Sequence, residues 1–200
     1  MKSMLRAVKR ADAQRIWTVR RKLTANVLPL LCGVPFLVAA AWLWILGWGW
    51  YAVGFATASL VASAVSLNWL GLTGNAEMKR ALSARLKPAP GAMFVGFSKP
   101  GYVDILDPHE DLGFLQFDPD SLRITGERAT VTLLRSREIG LSYEFNPHTL
   151  LGLGRWLVIQ GKTDTGLVRI LVEPRELGSL RANRTLGAKL MSQLDAWRLA

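Results

Sequence analysis

The stretch LTANVLPLLCGVPFLVAAAWLWILGWGWYAVGFATASLVASAVSLNWLGLTGNA, residues 23–76, contains no Asp, Glu, Lys, Arg or His. As one helix it would be about 80 Å long, whereas the hydrocarbon core of a bilayer is about 30 Å thick. The stretch must therefore fold back on itself. Glycine loosens a helix and tryptophan prefers the membrane interface, so Gly47-Trp48-Gly49-Trp50 is the predicted turn. Residues 27–46 and 51–72 are then two spans of a transmembrane hairpin.

The excess positive charge of the chain, +10 in total, lies beside this hairpin. Residues 1–24 carry eight basic side chains and one acidic side chain, and residues 75–99 carry five basic and one acidic. Residues 100–200 are nearly neutral, with 12 basic and 13 acidic groups. This distribution argues against a nucleic-acid partner, because such a partner needs a basic surface on the folded domain.

The same charges predict how the hairpin is oriented. Loops rich in Lys and Arg stay in the cytoplasm, so we expect an integral inner-membrane protein with both termini cytoplasmic and with anionic lipids at its basic flanks. A cleaved signal peptide is the competing interpretation, with Ala39-Ala40-Ala41 as the cleavage site. The apolar stretch continues through Leu72, which favours the hairpin. The single cysteine, Cys32, cannot form an internal disulfide and agrees with a reducing compartment.

Four parts follow from this pattern: a basic leader (1–24), the hairpin (25–74), a basic linker (75–90) and a C-terminal domain (91–200). The leader is either a helix on the membrane surface or a disordered basic arm, and the sequence leaves both open. Pro35 predicts a kink in the first span. In the second span a stripe of small residues predicts packing against the first: Gly54, Ala58, Ala62 and Ser66. The hairpin contains no ionisable group, which favours an anchor over a transporter.

The C-terminal domain has the pattern of a mainly β fold. The clearest strand is 138–145, where apolar residues alternate with charged or small ones. Six further strands are predicted at 92–97, 112–117, 121–125, 129–134, 155–160 and 167–173. From about Ser179 onward, apolar residues recur at helical spacing. We therefore predict a small seven-stranded barrel or sandwich closed by a C-terminal helix.

Three stretches carry a resemblance to a known family: Leu122-Arg123-Ile124 with Thr130-Val131-Thr132-Leu133, then Ile139-Gly140-Leu141-Ser142-Tyr143, then Gly154-Arg155-Trp156-Leu157-Val158-Ile159 with the closing helix. Residues 91–200 thereby resemble the bacterial pleckstrin-homology and GRAM-like domains. The resemblance implies seven antiparallel strands closed by a C-terminal helix. Residues 96–111 depart from the usual pattern, and fold resemblance alone does not assign a ligand site.

One acidic segment is the candidate for metal binding or acid–base chemistry. Asp107, His109, Glu110 and Asp111 are close in sequence, and His148 could join them from another loop. The segment has no recognised ligand spacing, and Asp-Pro followed by acidic residues is typical of a solvated turn. We therefore favour a solvated turn over a metal site and predict no catalytic residue and no cofactor.

A second candidate set consists of basic residues on or between strands: Arg123, Arg135, Arg137, Arg155 and Lys162. If they converge, they could bind the phosphate of a lipid headgroup. Arginines that alternate with carboxylates on strand faces more often form cross-strand pairs, and we favour that interpretation.

Three functions remain. The preferred one is a membrane-anchored cytoplasmic interaction or scaffold module without catalytic activity, with a protein partner that contacts residues 91–102. The alternative is a sensor of lipid headgroups or small ligands that uses the basic residues above. The third is a metal-dependent hydrolase around Asp107 to Asp111.

Overall fold

A computed structural model describes residues 15–102, 109–163 and 166–200 of the chain. The α-helices of this part are α1 (Val19–Lys22), α2 (Val34–Ile45), α3 (Gly49–Leu70), α4 (Asn75–Leu86) and α5 (Leu180–Leu199). The strands are β1 (Met93–Ser98), β2 (Asp111–Phe117), β3 (Ser121–Gly126), β4 (Thr130–Leu134), β5 (Gly140–Glu144), β6 (Trp156–Thr163) and β7 (Gly166–Pro174). Residues 1–14 of the leader lie outside the described residues, so both predictions for that segment stay open.

Two helical rods, Val19–Ile45 and Gly49–Leu86, are long and apolar enough to cross a membrane. In the most apolar window of each rod, only 17% of the residues are buried inside the protein. The turn between the rods is at Gly47, whose φ of 80° suits glycine. Soluble proteins rarely expose a contiguous apolar surface of this size to water, and this favours a bilayer around the two rods.

The first rod is not one regular helix. A π-helical segment covers Leu23–Val27 and a 3₁₀ segment covers Leu28–Gly33 before α2 begins. Pro35 lies in the first turn of α2, where its missing N–H has little cost. The irregular backbone lies directly before Pro35, in the turn whose hydrogen bonding a proline disturbs, so the kink at Pro35 stays a prediction.

The two rods touch at Gly33, where the first rod has no side chain. A Cβ at this position would lie 2.2 Å from Ser63 Oγ and 2.6 Å from the Ser59 carbonyl oxygen. Ser59 Oγ donates to the Gly33 carbonyl oxygen at 2.8 Å. The spans thus pack against each other at Ser59 and Ser63, next to the predicted stripe of small residues, of which Ala58, Ala62 and Ser66 are half-buried. Gly54 of that stripe is exposed, and a Cβ there would meet nothing within 4 Å.

Most of the predicted basic linker, residues 75–90, is helix α4, which forms the end of the second rod and leads into the sheet. Met78 and Leu82 on this helix are buried against Phe94 of β1 and Phe114 of β2. Trp17, from the predicted leader, is 1% exposed and belongs to the same apolar cluster. The segments predicted as leader, linker and domain therefore share one core at this junction.

The seven strands form one antiparallel sheet in the order β4-β3-β2-β1-β7-β6-β5. A seven-stranded antiparallel sheet followed by a C-terminal helix agrees with the prediction, and the strand bounds differ from it by a few residues at most. The predicted closure into a barrel is not seen, because β4 and β5 are the two edges of an open sheet. The sheet curls until Leu133 of β4 approaches Gly161 of β6, and apolar contact replaces hydrogen bonding across the gap.

Helix α5 packs over the curled sheet. Leu190 and Leu194 are buried in the main core, which also contains Val95 and Ile159. The indole N–H of Trp197 donates to the Asp118 carbonyl oxygen at 2.9 Å. The stripe of apolar residues predicted on this helix is therefore its buried face.

The predicted partner surface at residues 91–102 is in large part the middle of the sheet. Strand β1 pairs with β2 on one side and with β7 on the other. Phe94, Val95 and Phe97 are buried. The prediction that the side chains of this strand contact a partner is wrong, because an apolar run without alternation belongs to a strand buried on both faces.

Candidate functional site

Three ionisable side chains are buried together where the sheet meets the hairpin. His109 is 1% exposed and Glu173 is 2% exposed, and His109 Nε2 lies 3.0 Å from Glu173 Oε2. His148 Nδ1 lies 3.4 Å from the same carboxylate oxygen, and Asn146 Nδ2 donates to it at 3.3 Å. Together with Arg175, these four residues are called the buried network below.

Arg175 extends the buried network to the hairpin. Its Nη1 lies 3.4 Å from His109 Nδ1, and its Nε donates to Asn75 Oδ1 at 3.2 Å. Asn75, the first residue of α4, donates in turn to the Arg175 carbonyl oxygen. The guanidinium carbon of Arg175 lies 4.9 Å from the ring centroid of Trp17, within the range of a cation–π contact. The buried network therefore connects the sheet with both polar flanks of the hairpin.

Glu127 makes a second connection between the leader and the sheet. Its carboxylate accepts from the backbone N–H of Ile16 at 2.6 Å and from that of Trp17 at 3.1 Å. Arg85 of α4 forms an ion pair with it at 3.3 Å. The entry to the first rod is thus held by a carboxylate from the loop between β3 and β4.

Two glycines make room for the buried network. A Cβ at Gly96 would lie 2.1 Å from the imidazole ring of His109, and a Cβ at Gly154 would lie 2.1 Å from Glu173 Oε1. His148 is positioned by a 3₁₀ turn, Pro147–Leu151, whose capping box joins Asn146 and Thr149. In the sequence, the visible signal is a glycine that interrupts the apolar strand around Phe94 to Phe97.

The polarity of the neighbours sets the protonation of the buried network. Arginine can only donate, so the His109 Nδ1 that faces Arg175 accepts, and the proton of the neutral ring lies on Nε2, toward Glu173. Burial raises the pKa of the Glu173 carboxyl, but hydrogen bonds from His109 and His148 outweigh it and hold the pKa below the ordinary value of 4.5. Glu173 is therefore a buried carboxylate, stabilised by the donors around it.

The buried network is suited to a structural role. It is the joint that holds the sheet against the hairpin. Among the described residues its members are almost inaccessible to solvent, which suits this role. Among residues 15–102, 109–163 and 166–200, no group of three or more His, Cys, Asp or Glu side chains could hold a metal ion. A metal at the acidic segment stays a prediction, and Asp107 lies outside the described residues.

The three other members of the acidic segment occupy different positions. His109 is buried, so the prediction of a solvated turn is wrong for this residue. Glu110 accepts from the backbone N–H of Lys99 at 3.3 Å. Asp111 is buried and accepts from the backbone N–H groups of Arg128 at 2.8 Å and Ala129 at 3.2 Å. Burial raises the pKa of the Asp111 carboxyl, and these backbone donors oppose the rise.

The five predicted headgroup residues do not converge on one phosphate. Arg123 forms an ion pair with Asp118 at 3.7 Å, and Lys162 forms one with Glu138 at 2.9 Å. Arg155 and Lys162 flank opposite ends of β6, which at the usual strand rise are about 23 Å apart.

Arg135 and Arg137 lie at the β4–β5 connection. Arg135 donates to the Pro119 carbonyl oxygen at 2.9 Å, and its guanidinium lies 5.9 Å from the ring centroid of Trp197. Arg155 instead stacks on Tyr143, with its guanidinium carbon 3.4 Å from the ring centroid. Arg155 is thus the member of the set that lies apart from the rest.

Three residues of this junction have no place among the predicted sites: Glu173, Arg175 and Asn75. The sequence does contain a signal for a buried polar site at Glu173. This residue is the one acidic side chain within the apolar strand LVRILVEP, residues 167–174. Its partners are 27 and 64 positions away along the chain, so a local pattern cannot identify them.

Comparisons of the chain with protein-family models, with curated proteins and with solved structures find no match. Function therefore has to follow from the geometry of the molecule itself.

Proposed function

We propose that this chain is a membrane-anchored cytoplasmic interaction module without catalytic activity, in which the hairpin fixes the orientation of the β domain at the membrane surface. The observation that carries the proposal is the buried network, which joins β7, Asn75 and Trp17. Burying charged groups is costly unless they are paired in one defined geometry. A flexible tether would need no such joint, so the joint supports a role in orientation.

The direction of the strands defines which parts would face the cytoplasm. Strand β7 ends at Pro174, beside the hairpin, and begins at Gly166, about 30 Å away at the usual strand rise. The tip between β6 and β7 therefore points away from the membrane in this proposal. The resemblance of residues 91–200 to pleckstrin-homology and GRAM-like domains agrees with a binding role.

The edge strand β5 is the surface best suited to a protein partner. It hydrogen-bonds to β6 on one side, and its other side is an edge of the sheet. Tyr143 and Phe145 next to this edge are exposed. An open edge with apolar neighbours accepts an added strand from another protein.

Site-specific photo-crosslinking in native membranes tests this proposal. A crosslinker at exposed Ser142 of β5 should give one discrete adduct, whereas a crosslinker at exposed Gln193 of α5 should not. Loosening the joint with Asn75→Ala should weaken the adduct, because the edge then loses its fixed orientation. The same adducts from both positions, or none from Ser142, would contradict the proposal.

The other two functions have unequal support. A headgroup-binding role is favoured by one specific pocket, which is lined by Arg155, Arg181 and Arg184. A hydrolase around His109 has no support from the geometry, since His109 is enclosed by Glu173, Arg175 and Trp156.

A further inference from the structure

A pocket of about 600 Å³ lies between the loop that precedes β6 and the first turns of α5. Three arginines line it: Arg155 from the loop, and Arg181 and Arg184 from the helix. The remaining lining residues are neutral, and none of them is acidic. The pocket is therefore a concentrated positive site in a domain whose overall charge is near zero.

The contacts of the three arginines leave this charge uncompensated. Arg184 Nη1 donates to the Gly152 carbonyl oxygen at 2.5 Å, and Arg155 stacks on Tyr143. Among the described residues none of the three forms an ion pair. Arg155 Nε is buried and has no hydrogen-bond partner in the described part of the chain. The guanidinium charge of Arg155 is therefore not neutralised by a described carboxylate and adds to the positive potential of the pocket.

The backbone around the pocket adds to its attraction for anions. Helix α5 is 20 residues long and begins at Leu180, so its N-terminal positive dipole lies at the pocket. The first-turn N–H groups of Arg181 and Ala182 already donate to Asn68 Oδ1 and Ser179 Oγ, so the phosphate oxygens are left to the arginine side chains, whose paired N–H donors match them. The pocket combines both features.

The position of the pocket relative to the hairpin suggests where its ligand comes from. The backbone N–H of Arg181 donates to Asn68 Oδ1 at 2.9 Å, and Asn68 lies in the last turn of α3. Leu153 and Leu180 pack against Leu67 and Leu72, at the cytoplasmic end of the second span. The pocket therefore lies at the level where the hairpin leaves the bilayer, which is the level of phospholipid headgroups.

We propose that this pocket binds the phosphate of an anionic phospholipid headgroup in the cytoplasmic leaflet. Arg181 and Arg184 hold the phosphate oxygens, and Arg155 adds a third positive charge to the pocket. The inference rests on the proposed membrane placement of the hairpin but not on the protein partner at β5. Lipid binding and partner binding can therefore fail independently.

The test uses the full chain in detergent, with native mass spectrometry to count bound lipids. The probes are phosphatidylglycerol, phosphatidylcholine and inorganic phosphate. The variant is Arg181→Gln with Arg184→Gln. Its matched control is Arg123→Gln with Arg137→Gln, which also removes two positive charges, but from residues outside the pocket. Arg181→Gln alone is the second variant, because no contact of its side chain with the described residues would be lost.

We expect phosphatidylglycerol to bind with a defined stoichiometry and more tightly than phosphatidylcholine. The pocket variant should weaken phosphatidylglycerol binding at least tenfold, Arg181→Gln should weaken it severalfold, and the control should leave it unchanged. Equal weakening in variant and control would overturn the proposal, because it would show general charge attraction. Binding of inorganic phosphate without the lipid would also overturn it, since the ligand would then be soluble phosphate.

Discussion

Gly96 shows how a single residue shapes the joint between sheet and hairpin. A side chain at this position of β1 would occupy the space of the His109 ring. The ring in turn positions the carboxylate of Glu173 and the guanidinium of Arg175. The absence of one methyl group therefore allows the polar joint to form.

We predict that Gly96→Ala destabilises the protein by about 2–3 kcal/mol, because overpacking a filled interior displaces its neighbours. The thermal midpoint of the detergent-solubilised chain should fall by several degrees. Gly178→Ala is the matched control, because a Cβ there meets nothing within 4 Å. A Gly96→Ala protein as stable as this control would show that His109 does not need the space.

Glu173→Gln tests the electrostatics of the buried network. The substitution leaves His109 and His148 without their carboxylate, and it should cost about 2–3 kcal/mol at neutral pH. The folded-state pKa of Glu173 lies below the ordinary value of 4.5, so the carboxylate stabilises the fold fully above about pH 4.5 and progressively less below it. The difference between wild type and variant should therefore narrow in acid.

Unfolding midpoints at pH 7 and at about pH 3.5 measure this difference. The control is Glu138→Gln, which removes a surface carboxylate paired with Lys162 and should change stability little. A difference that stays constant or widens in acid would mean that the pKa of Glu173 is not lowered by folding.

At the scale of elements, the hairpin depends on the close approach of its two rods at Gly33. We predict that Gly33→Ala weakens their packing, because the new Cβ would lie within 3 Å of Ser59 and Ser63. The thermal midpoint in detergent should fall and proteolysis within the hairpin should speed up. Gly54→Ala, in the stripe predicted from the sequence, is the control and should have no effect. The reverse result would place the contact at Gly54 instead.

The strands were predictable because their signal is local. Apolar alternation or a short apolar run, bounded by turn residues, marks each strand, and these patterns locate all seven described strands to within a few residues. The contact face of the second span was not predictable in the same way. Small residues recur at several spacings there, and the choice depends on the partner rod, where Gly33 meets Ser59 and Ser63.

Long-range polar contacts explain most of what the sequence could not show. His109 belongs to a polar segment, Asp107 to Asp111, that has the composition of a surface turn. Its burial depends on Glu173, 64 positions later, and on the space at Gly96. The bond from the backbone N–H of Arg181 to Asn68 Oδ1 is a similar case, because it spans 113 positions of the chain. Such pairs become visible only when the sheet and hairpin are assembled.

For the whole molecule, the central claim is that the hairpin holds the β domain in one orientation on the membrane. Two positions of the domain should then lie at different heights. Gly178 lines a cavity with Leu72 and Asn75 at the end of the hairpin. Leu167 is exposed near the far tip of β7, about 25 Å or more along the strands from that end.

The measurement that tests this most directly is the depth of spin labels at these two positions in lipid nanodiscs. Labels are attached to Gly178→Cys and Leu167→Cys, each in a Cys32→Ser background. We predict that the label at 178 lies at the headgroup level with one defined depth, and that the label at 167 lies in water beyond the reach of the bilayer. Equal depths, or broad distributions at both positions, would contradict the account, because the domain would then be tethered without a fixed orientation.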